Sequence, residues 1–250
     1  MAAPKYILLV EDDADIADLL ELHLSDEGHE VDCVADGDEA LDRALSNPYD
    51  LVILDIMLPG RDGFDICRRI RQDKRQMPIL MVTAKTEEID KVLGLELGAD
   101  DYITKPFSIR EVMARVKAIF RRVEVEREEA TGNSEAPIEL GALVVDPQKR
   151  KVTMEGETID LTSMEFELLL LFVRHPGKAF SRQELLDEVW GYQYSGYSHT
   201  VNTHINRLRN KIEPSPSDPQ YVKTVWGVGY RFAESDEVVE EVVDGVEDGE

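Results

Sequence analysis

The sequence predicts an α/β first half built on a doubly wound, five-stranded parallel sheet, followed by a smaller domain of short antiparallel sheets and three helices. Three observations carry that expectation. Short runs of Val, Ile and Leu recur without alternation, as in strands buried on both faces. Each run is followed by an amphipathic stretch with helical period. From residue 138 this repeat gives way to brief strand-like segments punctuated by turn residues. A chain of 250 residues is long enough for two cores of ordinary size.

In the first half, strands are expected over 5–10, 30–35, 50–55, 78–82 and 101–103. Helices are expected near 14–27, 37–46, 62–74, 86–97 and 108–122, with Gly28 and Gly98 placed as C-caps. Strict alternation of strand and helix implies a parallel sheet covered on both faces. Residues 123–137, VEVEREEATGNSEAP, carry charge and turn formers without a sustained apolar period, which predicts a linker whose first residues extend the preceding helix.

The second half opens with strands expected at 138–140, 143–146, 151–154 and 157–160, separated by turns such as Asp146-Pro147 and Glu155-Gly156. Thr162 with Glu165, and Ser181 with Glu184, have capping-box spacing and predict two helix starts. A third helix is expected over 198–212, with Val201, Ile205, Leu208 and Ile212 on one apolar stripe. Pro214, Pro216 and Pro219 end it, and 221–224 with 229–232 predict a closing hairpin around Val225-Trp226-Gly227.

The net charge of −24 argues, taken whole, against a nucleic-acid binder. Its distribution does not. Residues 1–135 hold 31 acids and 17 bases, 136–234 hold 13 and 11, and 235–250 hold 8 acids and no base. Cys33 and Cys67 are expected as ordinary buried thiols rather than a disulfide or a metal site. The apolar run from Tyr6 to Val10 is too short for a secretory signal, and no stretch reaches the roughly eighteen apolar residues of a membrane span. A soluble, cytoplasmic protein with no membrane partner is expected.

The strand ends carry the chemistry. Glu11 and Asp12 follow the first run, Asp55 ends the third, and Thr83 and Lys105 close the fourth and fifth. Ligands of an open parallel sheet collect at those ends. Converging carboxylates repel unless a cation sits among them. Mg2+ is the expected cofactor, because one or two carboxylates plus a substrate phosphate hold it. Asp55 can then attack a phosphoryl group and form an acyl phosphate. Lys105 neutralises one phosphoryl oxygen while the Thr83 hydroxyl bonds another. A single strand-end acid is as readily a helix N-cap, and Asp13 is expected to be one. Co-occurrence in successive repeats is what favours the phosphate site.

The segments ILLVEDD, LVILDIMLPGRDG, ILMVTA and GADDYITKPF, in this order, resemble the receiver domain of a two-component response regulator, a flavodoxin-like fold, over residues 5–122. The resemblance implies that Asp55 is the phosphoacceptor, loaded by a sensor histidine kinase. It implies Glu11, Asp12, Asp55 and the Met57 carbonyl as metal ligands, and Thr83, Tyr102 and Lys105 as the switch and phosphate-binding residues. It makes the bond before Pro106 a candidate cis peptide. Tyr102 also fits a half-buried strand aromatic. Lys91, Asp100, Asp101, Glu111, Arg115 and Arg122 stand where such domains place the ion pairs of a homodimer formed on phosphorylation. For Glu111 a second reading stays open, since Ser108-x-x-Glu111 is also a capping box.

The segments LTSMEFELLLLFVRHPGKAFSRQELLDEVWG, HTVNTHINRLRNKI and YVKTVWGVGYRF resemble the winged helix-turn-helix output domain of the OmpR/PhoB family over residues 138–233. By that likeness the third helix is the recognition helix, the last hairpin is the wing, and 190–198 is a loop that meets RNA polymerase. A helical wheel leaves His199, Thr203, Asn206, Arg207 and Asn210 outward, with Asn202 and Arg209 on the shoulders. Arg and Asn are types that read guanine and adenine in the major groove. His204, Arg209 and Lys211 suit phosphates, and Thr200 and Trp226 complete the candidate contacts to double-stranded DNA. Trp226 stands where several relatives carry an arginine. Residues 234–250 are expected to be an acidic, disordered tail, serving solubility or competing with DNA.

The expected function is that of a non-enzymatic, phosphorylation-dependent DNA-binding transcriptional regulator. A phosphatase of the haloacid-dehalogenase type also uses an aspartyl nucleophile with Mg2+, but needs a second acid where this chain has Met57. A regulator that works without phosphate is the other alternative.

Overall fold

The structure is a computed structural model that describes residues 4–84, 88–132, 136–191 and 198–238. The chain forms two compact units, divided between Ile119 and Phe120. In the first, β1 (Tyr6–Val10), β2 (Glu30–Val34), β3 (Leu51–Asp55), β4 (Ile79–Thr83) and β5 (Asp101–Thr104) make one sheet in the order β2-β1-β3-β4-β5. Every pairing in it is parallel. The intervening helices are α1 (Ala14–Asp26), α2 (Gly37–Ser46), α3 (Gly63–Gln72) and α4 (Glu88–Glu96), and α5 (Ile109–Gly132) follows β5. The chain moves outward from β1 to β2, then crosses to β3 on the other side. The ends of β1 and β3 therefore flank the crevice where such sheets take their ligands.

Burial explains the apolar runs. All five residues of β3 and of β4 are buried, whereas edge strand β2 keeps an exposed side. Leu8, Val10, Val52, Leu54, Ile66 and Met81 share one core cluster. Each buried side chain of this kind stabilises the fold by roughly 1.5–3 kcal/mol. Asp13, Asp36 and Asp62 cap α1, α2 and α3 by accepting backbone N–H groups of the first turn. Asp13 is thus a cap, as expected. Gly28 and Gly98 end α1 and α4 at φ +87° and +122°, with the following N–H bonded back to Leu24 and Gly94.

The second unit holds a four-stranded antiparallel sheet of β6 (Ile138–Leu140), β7 (Leu143–Asp146), β8 (Lys151–Met154) and β9 (Glu157–Ile159), paired in sequence order. Next come α6 (Ser163–Val173), β10 (Ala179–Ser181), and α7 (Arg182–Leu185), continued by a π-helical turn, Leu186–Trp190. Then follow α8 (Ser198–Ile212), β11 (Val222–Val225) and β12 (Gly229–Phe232). Both capping boxes form. Strand β10 was not anticipated. It joins the terminal hairpin as a third strand, in the order β10-β12-β11, and three residues are too few to show a period. Gly229 permits that pairing, because a Cβ there would lie 2.1 Å from the Phe180 carbonyl oxygen.

Two segments differ from expectation. Helix α5 continues to Gly132, through most of the linker expected over 123–137. The Glu, Arg and Ala residues there are good helix formers, and no Pro or Gly precedes Gly132. At the other end, the start of the expected disordered tail is ordered. Residues 235–238 form a helical turn, held by an ion pair of Glu237 with Arg231 and by burial of Val238. Among the described residues, no helix is long and apolar enough to cross a membrane. Cys67 is buried as expected, but Cys33 is exposed, because it lies on the edge strand.

Candidate functional site

Four strand ends build one pocket. Glu11 follows β1 and is buried, Asp55 ends β3 and is buried, and Asp12 between β1 and α1 is exposed. Ligand oxygens of Glu11, Asp12 and Asp55 lie within 4.8 Å of one another, close enough to hold one metal ion. All-oxygen, anionic donors suit a hard divalent cation such as Mg2+. Met57 exposes its side chain, and its backbone N–H donates to Asp55 Oδ1 at 3.0 Å. The turn is tight there. A Cβ on Gly63 would lie 2.2 Å from the Asp55 carbonyl oxygen, so only glycine lets α3 start so close to β3. Thr83, at the end of β4, is buried, and its carbonyl accepts the Lys105 backbone N–H at 2.7 Å. The Lys105–Pro106 peptide is cis.

Lys105 joins the pocket electrically. Its Nζ donates to Asp55 Oδ2 at 2.6 Å and to Glu11 Oε1 at 2.7 Å. Burial opposes the lysine's charge, but the hydrogen bonds and charges of Asp55 and Glu11 outweigh it and hold its pKa above the ordinary value. Glu11 moves the other way from a typical paired acid. Burial raises its pKa, the Asp55 charge adds to the rise, and Lys105 only partly offsets it. Among the described residues, Lys105 is the one ammonium bonded to these carboxylates, which leaves negative charge in excess.

The switch and interface candidates divide. Tyr102 is buried in the core beside β4, opposite Met81. Asp100 is fully buried, where it accepts Arg71 at 2.8 Å and the Ile79 N–H at 2.8 Å. Arg71 is itself locked by the carbonyls of Gly98, Arg75 and Met77. Asp100 is therefore committed within the domain, which corrects its assignment to a dimer surface. Asp100 precedes β5 and Asp101 opens it, and both acids are buried. Asp101 bonds Arg115 at 2.8 Å, and Arg115 bonds Glu111 at 2.9 Å; Asp101 and Arg115 are both buried, which corrects their assignment to a dimer surface. Glu111 also donates its N–H to Ser108 Oγ at 3.1 Å, the first half of the capping box. The side chains of Lys91 and Arg122 lie outside the described residues.

In the second unit the apolar stripe of α8 is buried as expected at Val201, Ile205, Leu208 and Ile212. Its polar residues are less available than the wheel implied. Thr200, Thr203, His204 and Arg209 are buried, which corrects their assignment to DNA. Helices α6 and α7 both pack against α8, so more than one stripe is covered. His204 meets Trp190 edge-on with ring centroids 5.0 Å apart. Arg209 donates to the Val222 carbonyl at 2.9 Å and to Thr224 Oγ1 at 2.9 Å. Asn202 Oδ1 accepts Arg182 at 2.9 Å and the Tyr230 hydroxyl at 2.8 Å. His199, Asn206 and Asn210 are exposed, and Trp226 at the hairpin tip is 92% exposed. Of the loop 190–198, residues 192–197 lie outside the described residues.

Arg207 and Lys211 both turn toward Glu165, at 2.7 and 2.6 Å, and Lys211 also bonds the Asp160 carbonyl at 2.8 Å. Glu165 thus anchors the outer face of α8, a role the capping box did not reveal. A signal was present, because α6 is apolar nearly all round and a buried acid there requires a cation. Burial alone would raise the Glu165 pKa, but the charges of Arg207 and Lys211 reverse the shift and lower it.

The first unit is thus an α/β domain with an acidic pocket at its strand ends, and the second a helical domain closed by a small antiparallel sheet. Residues 7–117 match the family described as response regulator receiver domain, and residues 156–232 match that described as transcriptional regulatory protein, C terminal. Two RitR mutant structures, cysteine-to-serine and cysteine-to-aspartate, are each 30% identical over 92% of this chain and 99% of theirs, with TM-scores of 0.75 and 0.72. The response regulator DrrB of Thermotoga maritima, described as an OmpR/PhoB homologue, is 31% identical over 93% of this chain and 100% of its own, with a TM-score of 0.49. The chain belongs to the two-component response regulators of the OmpR/PhoB type, with a receiver followed by a DNA-binding transcriptional regulatory domain.

Replacing Asp100 with alanine strands Arg71 and is expected to destabilise the receiver by about 3–5 kcal/mol, measured as a lowered urea midpoint. An unchanged midpoint would show that Asp100 is not a structural partner. The Glu165 pKa is lowered from 4.5 on folding, so its contribution to stability is fully present above that value and is lost as pH falls below it, through the lower folded pKa. Urea midpoints measured across pH should show wild type ahead of Glu165→Gln at neutral pH, with the gap closing in acid. A gap that widens in acid contradicts the sign.

Proposed function

We propose that the chain is a phosphorylation-controlled transcription factor in which Asp55 accepts a phosphoryl group from a sensor histidine kinase. The observation that carries this reading is the sharing of Lys105 Nζ between Asp55 and Glu11. An Asp55 oxygen attacks the phosphorus, the bond from phosphorus to the donor nitrogen breaks, and an acyl phosphate forms. Lys105 then pairs with a phosphoryl oxygen, and the Thr83 hydroxyl bonds a second. Glu11, Asp12, Asp55 and the Met57 carbonyl would hold Mg2+, which supplies positive charge to the phosphoryl oxygens. The receiver is not an enzyme in this reading, because its product stays attached to its own side chain.

Movement of Thr83 toward the phosphate, with Tyr102 following in the space beside it, shifts the receiver toward a self-associating state. Glu111, with Lys91 and Arg122, forms the candidate surface of that homodimer. Glu111 already pairs with Arg115 within one chain, so dimerisation exchanges an ion pair rather than creating one, which sets register more than affinity. Two linked output domains then bind tandem half-sites in double-stranded DNA with raised effective concentration. His199 and Asn206 on α8, and Trp226 on the wing, are the candidate contacts, while Arg207 is held by Glu165. RNA polymerase is the partner proposed for the loop 190–198, and the cytoplasm is the compartment that holds kinase and DNA together.

Incubation with radiolabelled acetyl phosphate should load one hydroxylamine-labile phosphoryl group on the wild type. Asp55→Asn, or wild type with excess EDTA, should take up none. Equal labelling of Asp55→Asn would contradict the assignment.

A further inference from the structure

Beyond β12 the chain turns back on the wing it has just built. Glu237 grips Arg231 with both carboxylate oxygens, at 2.6 Å each. The Glu234 N–H donates to the same carboxylate at 2.7 Å, and Lys223 Nζ lies 3.9 Å from it. Lys223 on β11 and Arg231 on β12 stand directly opposite each other. Like charges so placed repel, and Glu237 relieves that repulsion. Arg231 holds the Glu237 carboxyl down at about 2, so it is ionised at neutral pH.

The contact has an apolar half. Val238 is buried and covers Gly141, where a Cβ would lie 2.6 Å from the valine Cγ1. Residues 239–250 continue directly from this anchor with six acids and no base. A forked arginine–carboxylate pair uses the same donor geometry that arginine offers to a phosphate. The cations of the wing hairpin, whose tip carries exposed Trp226, are thus already engaged by an anion of the same chain.

We propose that Glu237 is a latch that fastens the acidic C-terminal extension to the Arg231–Lys223 pair of the wing, where it competes with duplex phosphates and lowers DNA affinity. The proposal rests on the reading of the second unit as a DNA-binding domain. A tethered competitor acts at high effective concentration, so even a weak latch counts. Because the competition is between anions for cations, its effect is greatest at low salt.

The test uses the full-length protein, a fluorescent random-sequence duplex and anisotropy titrations at several salt concentrations. Wild type is compared with Glu237→Gln, which weakens the latch, and with a chain ending at Val238, which keeps the latch but removes the acids beyond it. Both variants should bind several-fold more tightly than wild type at low salt. Freeing one phosphate contact should steepen the salt dependence of Glu237→Gln by about one unit of log–log slope. A Glu237→Gln protein that melts like wild type and binds no more tightly overturns the proposal. If that variant melts early, the chain ending at Val238 decides, and affinity equal to wild type overturns it. Failure of every chain, wild type included, to bind any duplex overturns the DNA-binding reading itself, and the latch with it.

Discussion

Lys105 reaches from the end of β5 to carboxylates at the ends of β1 and β3, and its two hydrogen bonds tie three strand ends of the receiver into one pocket. Two buried acids beside each other would otherwise share a proton or expel one another. The Lys105 ammonium balances only part of their charge, and Asp12 adds a third anion at the rim. That residual negative charge suits the pocket to a divalent cation, and in the proposed reaction Lys105 and that cation would supply the positive charge that a phosphoryl group needs. The parallel sheet makes the arrangement possible, because it delivers every strand end to the same edge.

The second unit applies the same rule to a structural end. Glu165 is buried in an apolar helix and is compensated by Arg207 and Lys211 from α8. The bridge fixes the rotation and depth of α8, and through it the direction in which His199 and Asn206 face solvent. Asp100 with Arg71 is the receiver's own version, an acid turned inward and sealed by a guanidinium that also caps three carbonyls.

Much of this was legible in the sequence, for reasons of geometry. Asp55, Thr83 and Lys105 could be placed in one crevice because each ends an apolar run, and the run fixes the strand while the strand fixes the edge. Capping boxes at Thr162 and Ser181 were equally plain, since their bonds are local. Long-range partners were not legible. A helical wheel gives direction but not neighbours, so Arg209 and His204 were assigned to DNA although packing of α6, α7 and β11 buries them. Strand β10 was missed because Ala179, Phe180 and Ser181 show no period, and pairing beside Gly229 is decided by a fold the local sequence does not display. The order at Glu237 and Val238 escaped for the same reason, since Arg231 and Gly141 are what an acidic extension needs to settle, and neither is next to it in the chain.

Calorimetric titration of the full-length protein with Mg2+ tests the central electrostatic claim most directly. The account predicts saturation at one ion per chain, weakened about tenfold or more when Asp12 becomes asparagine, as loss of a charged oxygen ligand requires. Uptake that never saturates, or that is indifferent to Asp12→Asn, would mean that the clustered carboxylates do not form a metal site, and the phosphoryl chemistry built on them would fall.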